Sequence, residues 1–221
     1  MIEADRLYYQ TIKKDIGDSL KGSTGIVQGV TEDNKQSIFY MLCFCLCVPQ
    51  AKAVLVDKAI NKLRELDFYN KPIEQKQLAI LIKGNVRFHN IKSKYLYNAR
   101  IIFDSVWFYL LNNYQNHKKN VEDFELLKNI RNTLVKEIKG MSFKVSSHFL
   151  RNIGFAGLAI LDVHVINGLK SRKLIPNNLV LNKKNYYNIE EIMIEYAKLL
   201  GVSLEELDLM FWSQKTGYVF K

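Results

Sequence analysis

A chain of 221 residues with 48% hydrophobic and 12% aromatic side chains can fill a substantial core, which excludes an intrinsically disordered polypeptide. Its formal charge of +10 points to an anionic partner, with nucleic acid ahead of an acidic membrane surface. The longest apolar run, Ile38 to Val48, is too short to span a bilayer, and MIEADRLYYQTIKK lacks a leader's charged-then-apolar order. No membrane association is expected, and the expected location is cytoplasmic and nucleoid-associated.

Only three prolines and eleven glycines suit a mostly helical chain. Residues 3–21 have helical spacing and end in KGSTG. Thr31 with Glu32 and Asp33 reads as a helix start, and the helix running on to Val48 is apolar enough to be central. Cys43 and Cys47 share a face of that helix while Cys45 points away, so the three are expected as small buried hydrophobes and no metal is expected. Pro49-Gln50 breaks the helix, and AKAVLVDKAINKLREL resumes it. Pro72 is placed at a first helical turn, with Gly84 closing that helix. Asn90 is read as the cap of a Tyr- and Phe-rich run to Leu111, and 113–120 as an exposed loop.

Residues 122–139 read as a helix that delivers the chain to a tight turn at Gly140 and Ser142. Lys144 opens the next helix in an otherwise apolar frame, and Gly154 ends it. A hairpin of this kind aims backbone N–H groups outward at a helix start, where a phosphate oxygen can bind. Asp162 then starts another apolar helix. A buried amine and a buried carboxylate converging on one cleft are a plausible nucleophile and electrostatic partner, because the positive end of a helix and partial desolvation favour a neutral amine. Alone, Asp162 reads equally as an N-cap. SRKLIPNNLVLNKKN is a basic, turn-prone connection, Asn188 to Leu200 a helix closed by Gly201, and Ser203-x-x-Glu206 a capping box for the last helix. No convincing strand alternation is found, although Tyr218-Val219-Phe220 reads as extended or loop-like. The fold class expected is all-α.

Gly140-x-Ser142-x-Lys144 followed by Asp162-Val163-His164 resembles the helix-hairpin-helix DNA glycosylase superfamily. SHFLRNIG, AILD and the ending LEELDLMFWSQKTGYVFK are similar, more narrowly, to archaeal-type 8-oxoguanine DNA glycosylase/lyases. The resemblance is specific over about 134–168 and 203–221, and diffuse over 38–100. It implies two helical subdomains flanking a DNA-binding cleft, one of about 1–50 plus 160–221 and the other of about 51–159, with Lys144 and Asp162 facing each other.

The activity implied is excision of 8-oxoguanine from duplex DNA, followed by nicking of the abasic site, by a monomer needing no cofactor. Lys144 would attack C1′ and form a Schiff base, and Asp162 would stabilise the cationic sugar. Trp212 and Phe88 would sandwich the flipped base, and Lys221 with its carboxylate would read it. Gln50 matches an amide that fills the vacated space; Gly140, Ser142, His164 and Arg151 are the candidate DNA contacts, although Arg151 reads equally as a surface charge. Relatives generally have glycine where Ser142 stands, so serine is strained there if that position needs a positive φ. Two alternatives stay open: a related enzyme acting on oxidised pyrimidines, and a non-enzymatic DNA-binding module.

Overall fold

The structure is a computed structural model that describes residues 2–22, 29–120, 123–217 and 219. Among the described residues there are ten α-helices and no strand. No helix among them is long and apolar enough to cross a membrane. The chain divides into two compact units, one of residues 25–155 and the other of residues 1–24 with 156–221.

The contiguous unit is organised around an apolar helix. A 3-10 turn, Glu32–Asn34, leads into it, with the Asn34 side chain accepting the Thr31 N–H at 3.1 Å. Helix α2 (Lys35–Cys47) is then buried on every face, from Ile38 through Cys43 and again from Cys45 through Cys47. It packs against α3 (Ala53–Glu65), α5 (His89–Lys119) and α7 (Phe143–Asn152), while α4 (Gln75–Ile82) packs on α5 and α6 (Phe124–Glu137) on α7. Phe39 gathers Tyr40, Phe68, Tyr69 and Phe103 around it, with ring centroids 5.0–5.5 Å away. Cys43, Cys45 and Cys47 are free and buried, and burial pushes their thiols up, Cys47 to about 12. Thiols so desolvated are inert.

Several features of this unit differ from the sequence expectation. The first boundary falls at residues 24/25 rather than near 50, because α2 has no polar face and needs α3, α5 and α7 to enclose it. Pro72 precedes α4, whose N-cap is Glu74. Helix α5 starts after Phe88, not at Asn90, and continues through the polar stretch 113–119. His117 is buried there, stacked on Phe155 at 5.3 Å, and the basic Lys118 and Lys119 suit a helix C-terminus.

The discontinuous unit comprises α1 (Ile2–Gly22), α8 (Val163–Ser171), α9 (Lys183–Leu200) and α10 (Leu204–Thr216). Helix α9 starts five residues before the expected Asn188, with the Asn182 side chain accepting the Lys184 and Asn185 N–H groups. Ser203 and Glu206 form the expected reciprocal box at α10. At the centre, Asp5 of α1 accepts hydrogen bonds from both the Arg172 Nε, at 2.6 Å, and its Nη2, and from the Tyr196 hydroxyl. Burial alone would raise the Asp5 pKa, but the hydrogen bonds from Arg172, Tyr196 and Gln214 and the guanidinium charge outweigh it and hold the group below its ordinary 3.8.

Asp5→Ala should therefore destabilise the protein by about 3–5 kcal/mol, since it strands a buried guanidinium. The stabilisation from Asp5 should be complete above the ordinary carboxylate range and be lost as pH falls through the lower native value. Urea unfolding of both proteins at neutral and acid pH measures this. An Asp5→Ala loss below 1 kcal/mol at neutral pH would remove Asp5 from the centre of the unit.

Candidate functional site

The hairpin is built by local hydrogen bonds. The Met141 N–H closes a turn on the Ile138 carbonyl at 3.1 Å, with Gly140 at φ 88° in its third position. Two constraints demand glycine there: the left-handed backbone, and a Tyr95 ring atom of α5 that would stand 2.3 Å from any Cβ. Ser142 is at φ −105° and ψ 170°, extended backbone that any residue adopts, so serine is unstrained at this position. It is the N-cap of α7, its Oγ accepting the Val145 N–H at 3.3 Å.

Helix α7 presents two unlike faces. Phe143, Val145, Ser146, Ser147, Phe149 and Leu150 are buried. The Arg131 Nη1 of α6 donates to the Ser147 Oγ at 3.2 Å, and its guanidinium lies 5.3 Å from the Phe143 ring centre. This fixes the two helices of the hairpin to each other. The opposite face carries Lys144, His148 and Arg151 at i, i+4 and i+7, the first exposed and the others half-buried. Lys144 is thus at the solvent surface rather than buried, because the apolar side of α7 is already spent on α2 and α6. Burial, then the Arg151 and Lys144 charges, push the His148 pKa down to about 3, so that imidazole is neutral at physiological pH.

The start of α5 supplies Phe88. It caps the helix in a left-handed conformation, φ 59° and ψ 37°, is 48% exposed, and lies 4.9 Å below the Arg87 guanidinium. Gln50 is exposed at φ 58°, two residues beyond the C-cap of α2. Gln50 and Phe88 are two of the three non-glycine residues described in left-handed backbone in this unit, Asp67 being the third; such strained, over-determined positions are frequent at ligand clamps. Sequence reading had no signal for Lys92, which holds the Gln50 loop, although Phe88, Lys92 and Tyr95 have one-face helical spacing.

In the discontinuous unit, Asp162 is the N-cap of α8, its Oδ1 accepting the His164 and Val165 N–H groups at 2.8 and 2.9 Å. Asp162 is half-buried rather than buried. His164 meets Trp212 of α10 edge to face at 6.5 Å, so three of the sequence candidates converge within this unit. Gly168 is what lets α10 approach, since a Cβ there would stand 2.8 Å from the Phe211 ring. Lys221 lies outside the described residues, as do Tyr218 and Phe220 of the expected extended segment; Val219 is buried. Among the described residues, no group of three or more His, Cys, Asp or Glu side chains could hold a metal ion.

Comparison with known proteins identifies the family. Residues 26–202 match the sequence profile of the Ogg-HhH family, described as 8-oxoguanine DNA glycosylase. An 8-oxoguanine DNA glycosylase/AP lyase of Fusobacterium nucleatum is 34% identical, over 96% of this chain and 94% of its own length. The one from Methanocaldococcus jannaschii is 32% identical, over 83% and 82%. The crystal structure of the Methanocaldococcus jannaschii 8-oxoguanine glycosylase/lyase in complex with a 15mer DNA containing 8-oxoguanine is similar with a TM-score of 0.72. Its sequence identity is 27%, over 95% of this chain and 93% of that one. The 8-oxoguanine DNA glycosylase of Thermotoga maritima has the same fold, with a TM-score of 0.76 at 24% identity, over 100% and 98%.

Proposed function

This chain belongs to the Ogg-HhH family of 8-oxoguanine DNA glycosylases, and on that premise we propose that it excises 8-oxoguanine from duplex DNA and cleaves the abasic site through Lys144. The observation that carries the assignment is an exposed lysine on the first turn of α7, directly behind a glycine-containing hairpin. Backbone N–H groups at such a helix start favour a phosphate oxygen, and the phosphate brings the sugar to the amine.

The Lys144 Nζ attacks C1′, and the glycosidic bond breaks with its electron pair leaving on the base. The amine loses a proton and the sugar ring opens, leaving a protonated imine between Nζ and C1′. Loss of a proton from C2′ then expels the 3′ phosphate, which cuts the strand. Asp162 supplies the negative charge that stabilises the cationic sugar as the glycosidic bond lengthens. Phe88 and Trp212 offer exposed or half-exposed aromatic faces for the flipped base, which lost its stacking partners on leaving the duplex. Gln50 fills the space the base vacated. Gly140 and Ser142 of the hairpin and His164 contact phosphates, and Arg151 adds positive charge on the Lys144 face.

Borohydride trapping on matched duplexes tests this reading. Reduction of the imine should give a covalent adduct on a duplex with 8-oxoguanine opposite cytosine, in preference to one with an oxidised pyrimidine and with none on undamaged DNA. Trapping only on the oxidised pyrimidine would keep the lyase chemistry and replace the substrate. Salt-sensitive duplex binding with no adduct on any damaged or abasic DNA would make the chain a binding module.

A further inference from the structure

Phe88 is the N-cap of α5, Lys92 and Tyr95 follow three residues apart on one face of the helix, and each serves a different piece of the contiguous unit. Phe88 is exposed at the helix start, and the Tyr95 ring packs on the hairpin at Gly140. Between them, Lys92 is 5% exposed, and its Nζ donates to the carbonyls of Cys47 and Pro49, each at 2.6 Å. The last carbonyls of a helix lack intrahelical partners, and most helices satisfy them with a glycine turn or with water. A buried lysine is a costly substitute for either. What it adds is a fixed carbonyl at Pro49, the residue directly before Gln50.

Gln50 itself is exposed and sits at φ 58°, a conformation that a free loop glutamine leaves readily. The Ala51 N–H bonds back to the Val48 carbonyl at 2.9 Å, so the turn around Gln50 is closed on both sides. Lys92 also joins this turn to Phe88, because the Lys92 N–H donates to the Phe88 carbonyl at 3.0 Å. One residue therefore ties the Gln50 turn to the helix start that carries Phe88.

We propose that Lys92 is a positioning residue for base flipping. By clamping the Pro49 carbonyl to α5, it holds the Gln50 amide in the left-handed conformation needed to occupy the vacated base space while Phe88 stacks on the extruded base. This rests on the reading of Gln50 and Phe88 given above. Lys92 touches no substrate, and its effect passes entirely through Gln50.

The test compares wild type, Lys92→Met, Gln50→Ala and the double variant in single-turnover excision from an 8-oxoguanine:cytosine duplex. Cleavage of a preformed abasic site in a single strand, which has no base-pair space to fill, is the parallel reaction. Each single variant should lower duplex excision about tenfold, and the double variant should be no worse than the poorer single, as for two residues acting through one step. Single-strand cleavage by Lys92→Met should stay within about twofold of wild type. Multiplying losses in the double variant, or an equal loss of single-strand cleavage in Lys92→Met, would overturn the proposal.

If Lys92→Met does not fold, Lys92→Gln, which keeps an N–H donor for one carbonyl, takes its place. That variant should show a smaller duplex loss that still does not add to Gln50→Ala; additivity there would overturn the proposal equally. Wild-type protein that leaves 8-oxoguanine in the duplex would instead refute the functional reading, and this inference with it.

Discussion

Lys144→Gln is expected to abolish the trapped adduct and to lower strand cleavage by a factor on the order of 10⁴ or more, while leaving damage binding in place. The amide nitrogen of glutamine has its lone pair delocalised into the carbonyl and cannot attack C1′. The substitution should be nearly silent structurally, because position 144 is exposed and glutamine and lysine have similar helix propensities. An unfolding midpoint close to wild type is therefore the control. A second control comes from His148: burial is the first cause of its low pKa, and the Lys144 charge a lesser one. Removing that charge should raise the His148 pKa while leaving it well below the ordinary histidine value, which an NMR titration reads. Strand cleavage that survives in Lys144→Gln would assign the nucleophile elsewhere.

Asp162→Asn should separate the two roles of that carboxylate. An asparagine Oδ1 can still accept the His164 and Val165 N–H groups, and asparagine is as good an N-cap as aspartate, so α8 should keep its start. What disappears is the negative charge. Excision should fall by about 10²–10³, the scale of losing one preorganised electrostatic partner, and cleavage of a preformed abasic site should fall less. Asp162→Ala should add a stability loss of about 1 kcal/mol from the lost cap. Single-turnover rates on the two substrates, with thermal unfolding of each variant, make the comparison. Excision by Asp162→Asn at the wild-type rate would reduce Asp162 to a helix cap.

The residues of these experiments were legible for unequal reasons. Ser142, Asp162, Ser203 and Gly140 act over two or three residues of chain, so their chemistry and spacing announce the turn or cap they make. The doubt attached to Ser142 vanished because the hairpin needs its positive φ at Gly140 and a cap two residues later. The environment of Lys144 is less legible in the sequence. Apolar neighbours at 143 and 145 suggested burial, but adjacent residues on a helix point to different sides, and the side bearing Lys144 faces outward.

Local signals along the chain suffice to make it helical, to locate the hairpin and to pick out the lysine behind it, because helix starts, turns and apolar periodicity are properties of neighbouring residues. Long-range packing is what puts α2 with residues 25–155 and keeps the polar stretch after Leu111 helical, with His117 buried against Phe155. It also brought Lys92 to the Pro49 carbonyl, Tyr95 to Gly140, His164 to Trp212 and Asp5 to Arg172. Each of these pairs joins residues dozens of positions apart, and no local preference encodes them. They form because burying the apolar faces of the helices fixes where the remaining polar and aromatic groups must find partners.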